Sequence, residues 1–217
     1  MAKITVLGGT GYAGSHIVAV AASRGHSVVS YSRKAPEQPV AAVEYRIGDV
    51  QDAAVIDQAV SGVDVVVSAL SPRDAMMKTP GLLRGVEQSI AKLAQQRGVR
   101  FGVVGGAGSL LVAEGGPRVA ETAGFPDAVK PESAEMAGVL DDLRAADPGL
   151  DWFYVSPAGG FGVWVPGEAT GQYRVGGDVL LVDENGESNI SGADLALAVV
   201  TEIETPTHRR ARFTVAY

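Results

Sequence analysis

The sequence predicts a doubly wound, open α/β sheet, with parallel strands joined by helices that cover both faces. Three observations lead there. Short β-branched runs alternate with longer helix-like segments along most of the chain. Runs such as Val65-Val66-Val67 are apolar throughout, which suits strands buried on both sides in a parallel sheet. The first run leads straight into a glycine cluster that opens a helix, Gly8-Gly9-Thr10-Gly11-Tyr12-Ala13-Gly14. Such strand–helix–strand units cross over right-handed, and open sheets of this kind bind ligands at the C-terminal edge of their strands.

In chain order, strands are expected at 4–7, 28–31, 43–47, 63–69, 99–104, 152–155 and 212–216. Helices are expected near 12–24, 52–60, 82–97, 132–145 and 191–204. Arg24-Gly25 offers the first helix a C-cap, and Asp49 or Asp52 can cap the second. Two connections are long: 105–128, rich in glycine, and 157–190, which holds more Gly and Pro and a short hairpin expected around Asp183-Glu184-Asn185-Gly186. Both follow strand C-termini. No repeat, low-complexity tract or linker-like break divides the chain, so residues 1–217 are read as one domain whose two long connections serve the substrate side.

Composition excludes several classes. With 217 residues and 46% hydrophobic content the chain can build a core without staples. It has no cysteine, hence no disulfide framework, thiolate-held metal or cysteine nucleophile. The net charge of -7 argues against a nucleic-acid partner. No apolar stretch is long enough to span a membrane, and the run after Met1-Ala2-Lys3 is too short for a signal-peptide core, so the cytoplasm is the expected location. No interface stripe appears, and a monomer acting on a small molecule is expected. His16, His26 and His208 are scattered without metal-ligand spacing, so no metal is expected, and His26 reads as structural. No GxSxG elbow occurs.

Glycine is over-represented: 28 of 217 residues, about 13% against an average near 7%. The first cluster explains part of it. Gly8, Gly11 and Gly14 stand where a chain must turn tightly out of a strand, let its backbone approach a pyrophosphate and pack a helix closely on the sheet. The N–H groups of Tyr12 and Ala13 and the positive end of the helix dipole would hold the anion, with the Thr10 hydroxyl as a further donor. This context makes the cluster a dinucleotide-binding turn. An acid about 20 residues on would select NAD by bonding its ribose hydroxyl. Arg33 and Lys34 stand there instead and suit the 2′-phosphate of NADP, which makes NAD the less favoured cofactor. After the third strand, Asp49 could accept from the adenine amino group while Val50 covers the ring. Ser68, Ala69 and Leu70 bring small residues and one aliphatic side chain to the cofactor path at the end of the fourth strand.

Further segments fit the same scheme: Gly25-His26-Ser27-Val28, Gly48-Asp49-Val50, Val103-Val104-Gly105-Gly106-Ala107-Gly108-Ser109-Leu110, Asp151-Trp152 with Val155-Ser156-Pro157, Ile190-Ser191 with Asp194-Leu195-Ala196, and Arg212-Phe213-Thr214-Val215. On these residues, which span essentially the whole chain, the sequence resembles the atypical short-chain dehydrogenases/reductases with an NAD(P)-binding Rossmann fold. Within them it is most similar to the NmrA-like group described as NADH-flavin reductases, relatives of the biliverdin-IXβ/flavin reductases. The resemblance implies that Gly105, Gly106, Ser156, Pro157 and Ala158 lie along the nicotinamide side of the cofactor.

Typical short-chain dehydrogenases carry a Tyr-x-x-x-Lys pair that passes a proton. The chain has none; Glu132 and Met136 align with those positions. Alcohol chemistry of the usual kind is therefore not expected. Reduction of a flat acceptor, a flavin such as FMN or FAD or a quinone, does not need the pair, because solvent can supply the proton. Ser109 is then the candidate catalytic hydroxyl. Lys130 could hold an anionic substrate, and Phe161, Trp164 and Tyr173 could wall a flat pocket. The alternative is an NADP-binding sensor without turnover, as NmrA-like relatives can be.

Overall fold

The computed structural model describes residues 1–72 and 75–217. Its single sheet has the strand order β3-β2-β1-β4-β5-β6-β8-β7. The parallel strands are β1 (Lys3–Leu7), β2 (Ser27–Ser32), β3 (Val43–Ile47), β4 (Val65–Ser68), β5 (Arg100–Val104), β6 (Trp152–Ser156) and β8 (Ala211–Ala216). The short strand β7 (Arg174–Gly176) runs antiparallel to β8 at the far edge. The chain reverses its strand order beside β1, between β2 and β4, which makes the C-terminal ends of those strands the expected ligand crevice.

Two helical layers flank the sheet. α1 (Tyr12–Ser23) and α6 (Gly192–Glu204) share one core with Ile4, Val6, Val28, Val65 and Val67. α2 (Ala53–Val60), α4 (Leu82–Arg97) and α5 (Lys130–Ala145) share the other with Leu7, Tyr31, Val66, Phe101 and Tyr154. Alternation along each strand sorts the residues: in β1, Ile4 and Val6 face one layer and Leu7 the other. A one-turn helix, α3 (Ala75–Lys78), precedes α4. Asp52 caps α2 by accepting from the Ala54 N–H at 2.8 Å, and Ser191 caps α6 through the Asp194 N–H at 3.1 Å. Pro131 and Glu132 occupy the first turn of α5, where a missing N–H is harmless and a negative charge meets the helix dipole.

At the N-terminal edge, opposite the ligand crevice, ion pairs tie the layers. Arg100 donates to Glu202 Oε1 at 2.6 Å, and Glu202 Oε2 lies 2.7 Å from His208 Nδ1. His26 accepts from the Ala2 N–H at 3.1 Å and lies 3.0 Å from Glu204, a structural role as expected.

The two long connections are folded onto each other. The Leu111 N–H donates to Asp178 O at 2.8 Å, and Leu111 O accepts from Leu180 N–H at 2.9 Å. The expected hairpin at Asp183-Glu184-Asn185-Gly186 is corrected: no strand ladder flanks this turn among the described residues. The Asp183 carboxylate itself accepts from the N–H groups of Asn185 and Glu187, at 2.9 and 2.8 Å, which closes the turn locally. The added strand is β7, whose partners are residues of β8.

Candidate cofactor and acceptor site

The glycine turn is built by crowding. Gly8 has φ +76°, a conformation open to glycine, and a Cβ there would sit 2.8 Å from the carbonyl oxygen of Ala69. A Cβ on Gly14 would collide with the Gly8 carbonyl, and one on Gly9 with the Ser30 hydroxyl. The turn is closed by Gly11 N–H to Gly8 O at 2.9 Å and tied to β2 by Gly8 N–H to Tyr31 O at 2.9 Å. Gly11, the N-cap of α1, has no side chain to cap it, and the first helical bond is Ser15 N–H to Gly11 O at 2.9 Å. Among the described residues the amides of Tyr12, Ala13 and Gly14 find no acceptor and face outward at the positive end of the helix. This cradle fits a pyrophosphate.

The neighbouring strand ends continue the site. The Thr10 N–H donates to Ser32 Oγ at 3.1 Å, which ties the turn to the end of β2. Arg33 and Lys34 follow and are exposed, as Thr10 is. Beyond β3, the exposed Asp49 accepts from the Gln51 N–H at 2.9 Å, while Val50 is buried in the α2 layer. Ser68 is fully buried, and Ala69 and Leu70 pack on Gly8. A Cβ on Gly105 would fall inside the Tyr154 ring, so Gly105 runs tight over β6, whereas one on Gly106 would meet nothing within 4 Å. Ser156, Pro157 and Ala158 are buried at the end of β6, and the Ser156 Oγ has no hydrogen-bond partner among the described residues. The structure therefore gathers Gly8, Thr10, Gly11, Tyr12, Ala13, Ser68, Ala69 and Leu70 around one turn and sets the other expected contacts at adjoining strand ends.

The acceptor-side residues separate. Ser109 is buried and its Oγ accepts from Arg212 at 2.9 Å, while Arg212 Nε donates to Asp178 at 2.7 Å. The hydroxyl is thus oriented by a buried guanidinium that also joins the two connections. Lys130 is exposed and paired with Asp127 at 2.5 Å. Phe161 and Tyr173 pack against the α1–α6 core, whereas Trp164 is 68% exposed, so the three aromatics do not form one wall. Glu132 is half-buried in the first turn of α5, while Met136 is buried.

Three side chains to which sequence reasoning assigned no role shape this edge. Tyr12 contributes more than an amide: its hydroxyl donates to Pro166 O and accepts from the Gly192 N–H, both at 3.1 Å, and its ring lies 5.2 Å from that of Phe161. Asp194 is 1% exposed and accepts from the amides of Thr170 and Gly171 at 2.8 Å and from Tyr217 at 2.6 Å. Burial alone would raise its pKa, but these bonds outweigh it and hold the carboxyl below the usual range. Glu87, 3% exposed in α4, is the reverse: burial raises its pKa to about 7, against a single bond from Ser68 at 2.6 Å. Its position three residues before Ile90 and four after Leu83 on the apolar stripe was the available signal. Among the described residues no group of three or more His, Asp or Glu could hold a metal ion, and no helix is long and apolar enough to cross a membrane.

Sheet order, glycine cradle and open helix terminus define a dinucleotide-binding protein of the Rossmann type. The sequence profile of the family described as NAD(P)H-binding matches residues 8–206. Protein YwnB of Bacillus subtilis (strain 168) is 34% identical over 222 residues, covering 98% of this chain and 97% of its own. A "putative exported protein" from Burkholderia pseudomallei is 40% identical, with 100% of both chains covered and a TM-score of 0.85. A "putative NADH-flavin reductase" from Streptococcus pneumoniae TIGR4 is 33% identical, covering 100% of this chain and 99% of that one, with a TM-score of 0.88. The chain belongs to the NAD(P)H-binding family, and its fold and relatives fit the NmrA-like atypical short-chain dehydrogenase/reductase group.

Proposed function

We propose that the protein is an NADPH-preferring reductase that passes hydride to a flat acceptor such as a flavin or quinone. The observation that carries this is the uncapped start of α1 inside a crowded glycine turn, followed at the end of β2 by Arg33 and Lys34 where an NAD site would place an acid. The amides of Tyr12, Ala13 and Gly14 would hold the pyrophosphate, and Arg33 with Lys34 the 2′-phosphate. Asp49 and Val50 would meet the adenine. Ser68, Ala69 and Leu70, with Gly105, Gly106, Ser156, Pro157 and Ala158, would line the nicotinamide side. When bound, the cofactor supplies the hydride.

The chain's own contribution is binding, orientation and exclusion of water. Ser109, fixed by Arg212, would present its hydroxyl to the acceptor. The remaining proton would come from solvent, since the positions of the usual Tyr-Lys pair hold Glu132 and Met136. Phe161 and Tyr173 would floor the acceptor site, with Lys130 and Trp164 at its exposed margin. The protein would act as a monomer in the cytoplasm, where reduced nicotinamide nucleotides are made.

The test is direct. NADPH and NADH are titrated separately, then each is followed by absorbance with FMN, riboflavin and quinones. Tighter NADPH binding and turnover of at least one acceptor support the reading. Binding without turnover on any acceptor favours the sensor, and tighter NADH binding refutes the role given to Arg33.

A further inference from the structure

Glu87 is a buried acid for which the cofactor site has no use, and its partners are few. Ser68 Oγ donates to Oε1 at 2.6 Å, while Oε2 has no partner among the described residues. Several charged and titratable groups on the elements packed around it are engaged elsewhere, while Lys92 of its own helix lines a groove with it. On α5, Glu135 accepts from the amides of Gly81 and Arg84, and Asp142 is paired with Arg84. On β6, the Tyr154 hydroxyl donates to Met136 O. On α2, Asp57 is paired with Arg97, and on β5 Arg100 is bound to Glu202. A carboxyl so placed keeps its proton, because ionising it would leave a buried, uncompensated charge.

Ser68, its one partner among the described residues, leads into the cofactor turn. Ser68 is registered beside Leu7, and the next amide, Ala69 N–H, donates to Leu7 O at 2.9 Å. Ala69 O is the atom that leaves Gly8 no room for a side chain. The Leu70 N–H reaches back to Ser68 Oγ at 3.4 Å. Glu87 also lines a groove of about 380 Å³ between α4 and α5, whose rim includes the exposed Gln88 and Lys92. Protons can therefore reach it from the flank of the molecule.

We propose that Glu87 is a positioning residue for the cofactor turn: its carboxyl accepts from Ser68 and, through residues 68–70, fastens Gly8; ionisation strengthens that bond but leaves a buried charge on Oε2 with no partner among the described residues, so it favours an opening that admits water, loosens the turn and weakens nucleotide binding. The binding part rests on the reading of the turn as a cofactor cradle; the fastening part does not. Burial places the transition near pH 7.

The experiment measures amide-exchange protection at Gly8, Ala69 and Leu70 from about pH 6 to about pH 8.5, in the wild type and in Glu87→Gln, a neutral isostere. The expected result is a fall of about tenfold in the wild type and none in the variant. NADPH and NADH dissociation constants are taken across the same range, NADH controlling for titration of the 2′-phosphate. Both should rise about tenfold in the wild type relative to the variant. Parallel behaviour of the two proteins overturns the proposal. If neither nucleotide binds, the cradle reading fails while the exchange data still decide the role of Glu87. Carbon NMR of the wild-type carboxyl decides it without any variant: a midpoint near 7 is expected, and one near the ordinary 4.5 overturns it.

Discussion

The turn at 8–14 and the connection at 157–190 are both glycine-rich and both follow a strand end, yet glycine serves them differently. At Gly8, Gly9 and Gly14, protein atoms occupy the place a side chain would take. At Gly171 and Gly186, nothing lies within 4 Å of that place, and what is needed is the backbone conformation, φ +73° and +80°. The turn offers backbone amides to a ligand. The connection instead has its backbone polar groups taken up by side chains from elsewhere: the Thr170 and Gly171 amides donate to Asp194, and the Pro166 carbonyl accepts from the Tyr12 hydroxyl. The first region is a surface made by closeness, the second a loop strapped down by carboxylate and phenol.

The same substitution made in both regions separates them. Gly14→Ala pushes a methyl into the Gly8 carbonyl, a backbone group that cannot swing aside, and should raise the NADPH dissociation constant beyond about a hundredfold with a stability loss of about 1–3 kcal/mol. Titration and thermal unfolding check it; near-normal binding would remove the cradle. Arg33→Ala comes next. Loss of a charged hydrogen bond of about 1.5–3 kcal/mol should weaken NADPH about ten- to hundredfold and leave NADH unchanged. Equal weakening of both would refute the 2′-phosphate role.

Asp194→Ala unties the connection without touching the turn. It should cost about 2 kcal/mol of stability and speed amide exchange at Thr170 and Gly171, with NADPH binding changed less than about threefold. Its folded pKa lies below the ordinary 3.8, so its contribution is present above that value and is lost as pH falls through the lowered one. The variant should therefore show a shallower acid limb in denaturant melts recorded against pH. Gly171→Ala is the smallest change: a strain of about 1–2 kcal/mol in stability and no effect on cofactor affinity. A cofactor defect there as large as that of Gly14→Ala would erase the distinction between the two regions.

The contrast also explains what could be read from the chain. Strand and helix order follows from periodicity, and the cradle follows from glycine spacing, because both are local properties of the sequence. The folding of 105–128 onto 177–182 depends on Leu111 meeting Asp178 and Leu180, pairs far apart in sequence with no periodic signal. The same holds for β7, three residues whose strand character comes from β8 beside them. Phe161, Trp164 and Tyr173 looked alike as aromatics in one irregular segment; only packing distinguishes the two on the core from the exposed third. Glu87 was legible in principle, since it stands among apolar residues on the inward stripe of α4, but its bond to Ser68 joins residues on different elements.

The claim on which the rest depends is that the open end of α1 receives the nucleotide's phosphates. Amide NMR of the nitrogen-labelled protein during an NADPH titration tests it most directly. The account predicts that the Tyr12, Ala13 and Gly14 resonances shift first and furthest, with those of Thr10 and Arg33 following. Saturable NADPH binding that leaves these three amides unmoved would contradict it.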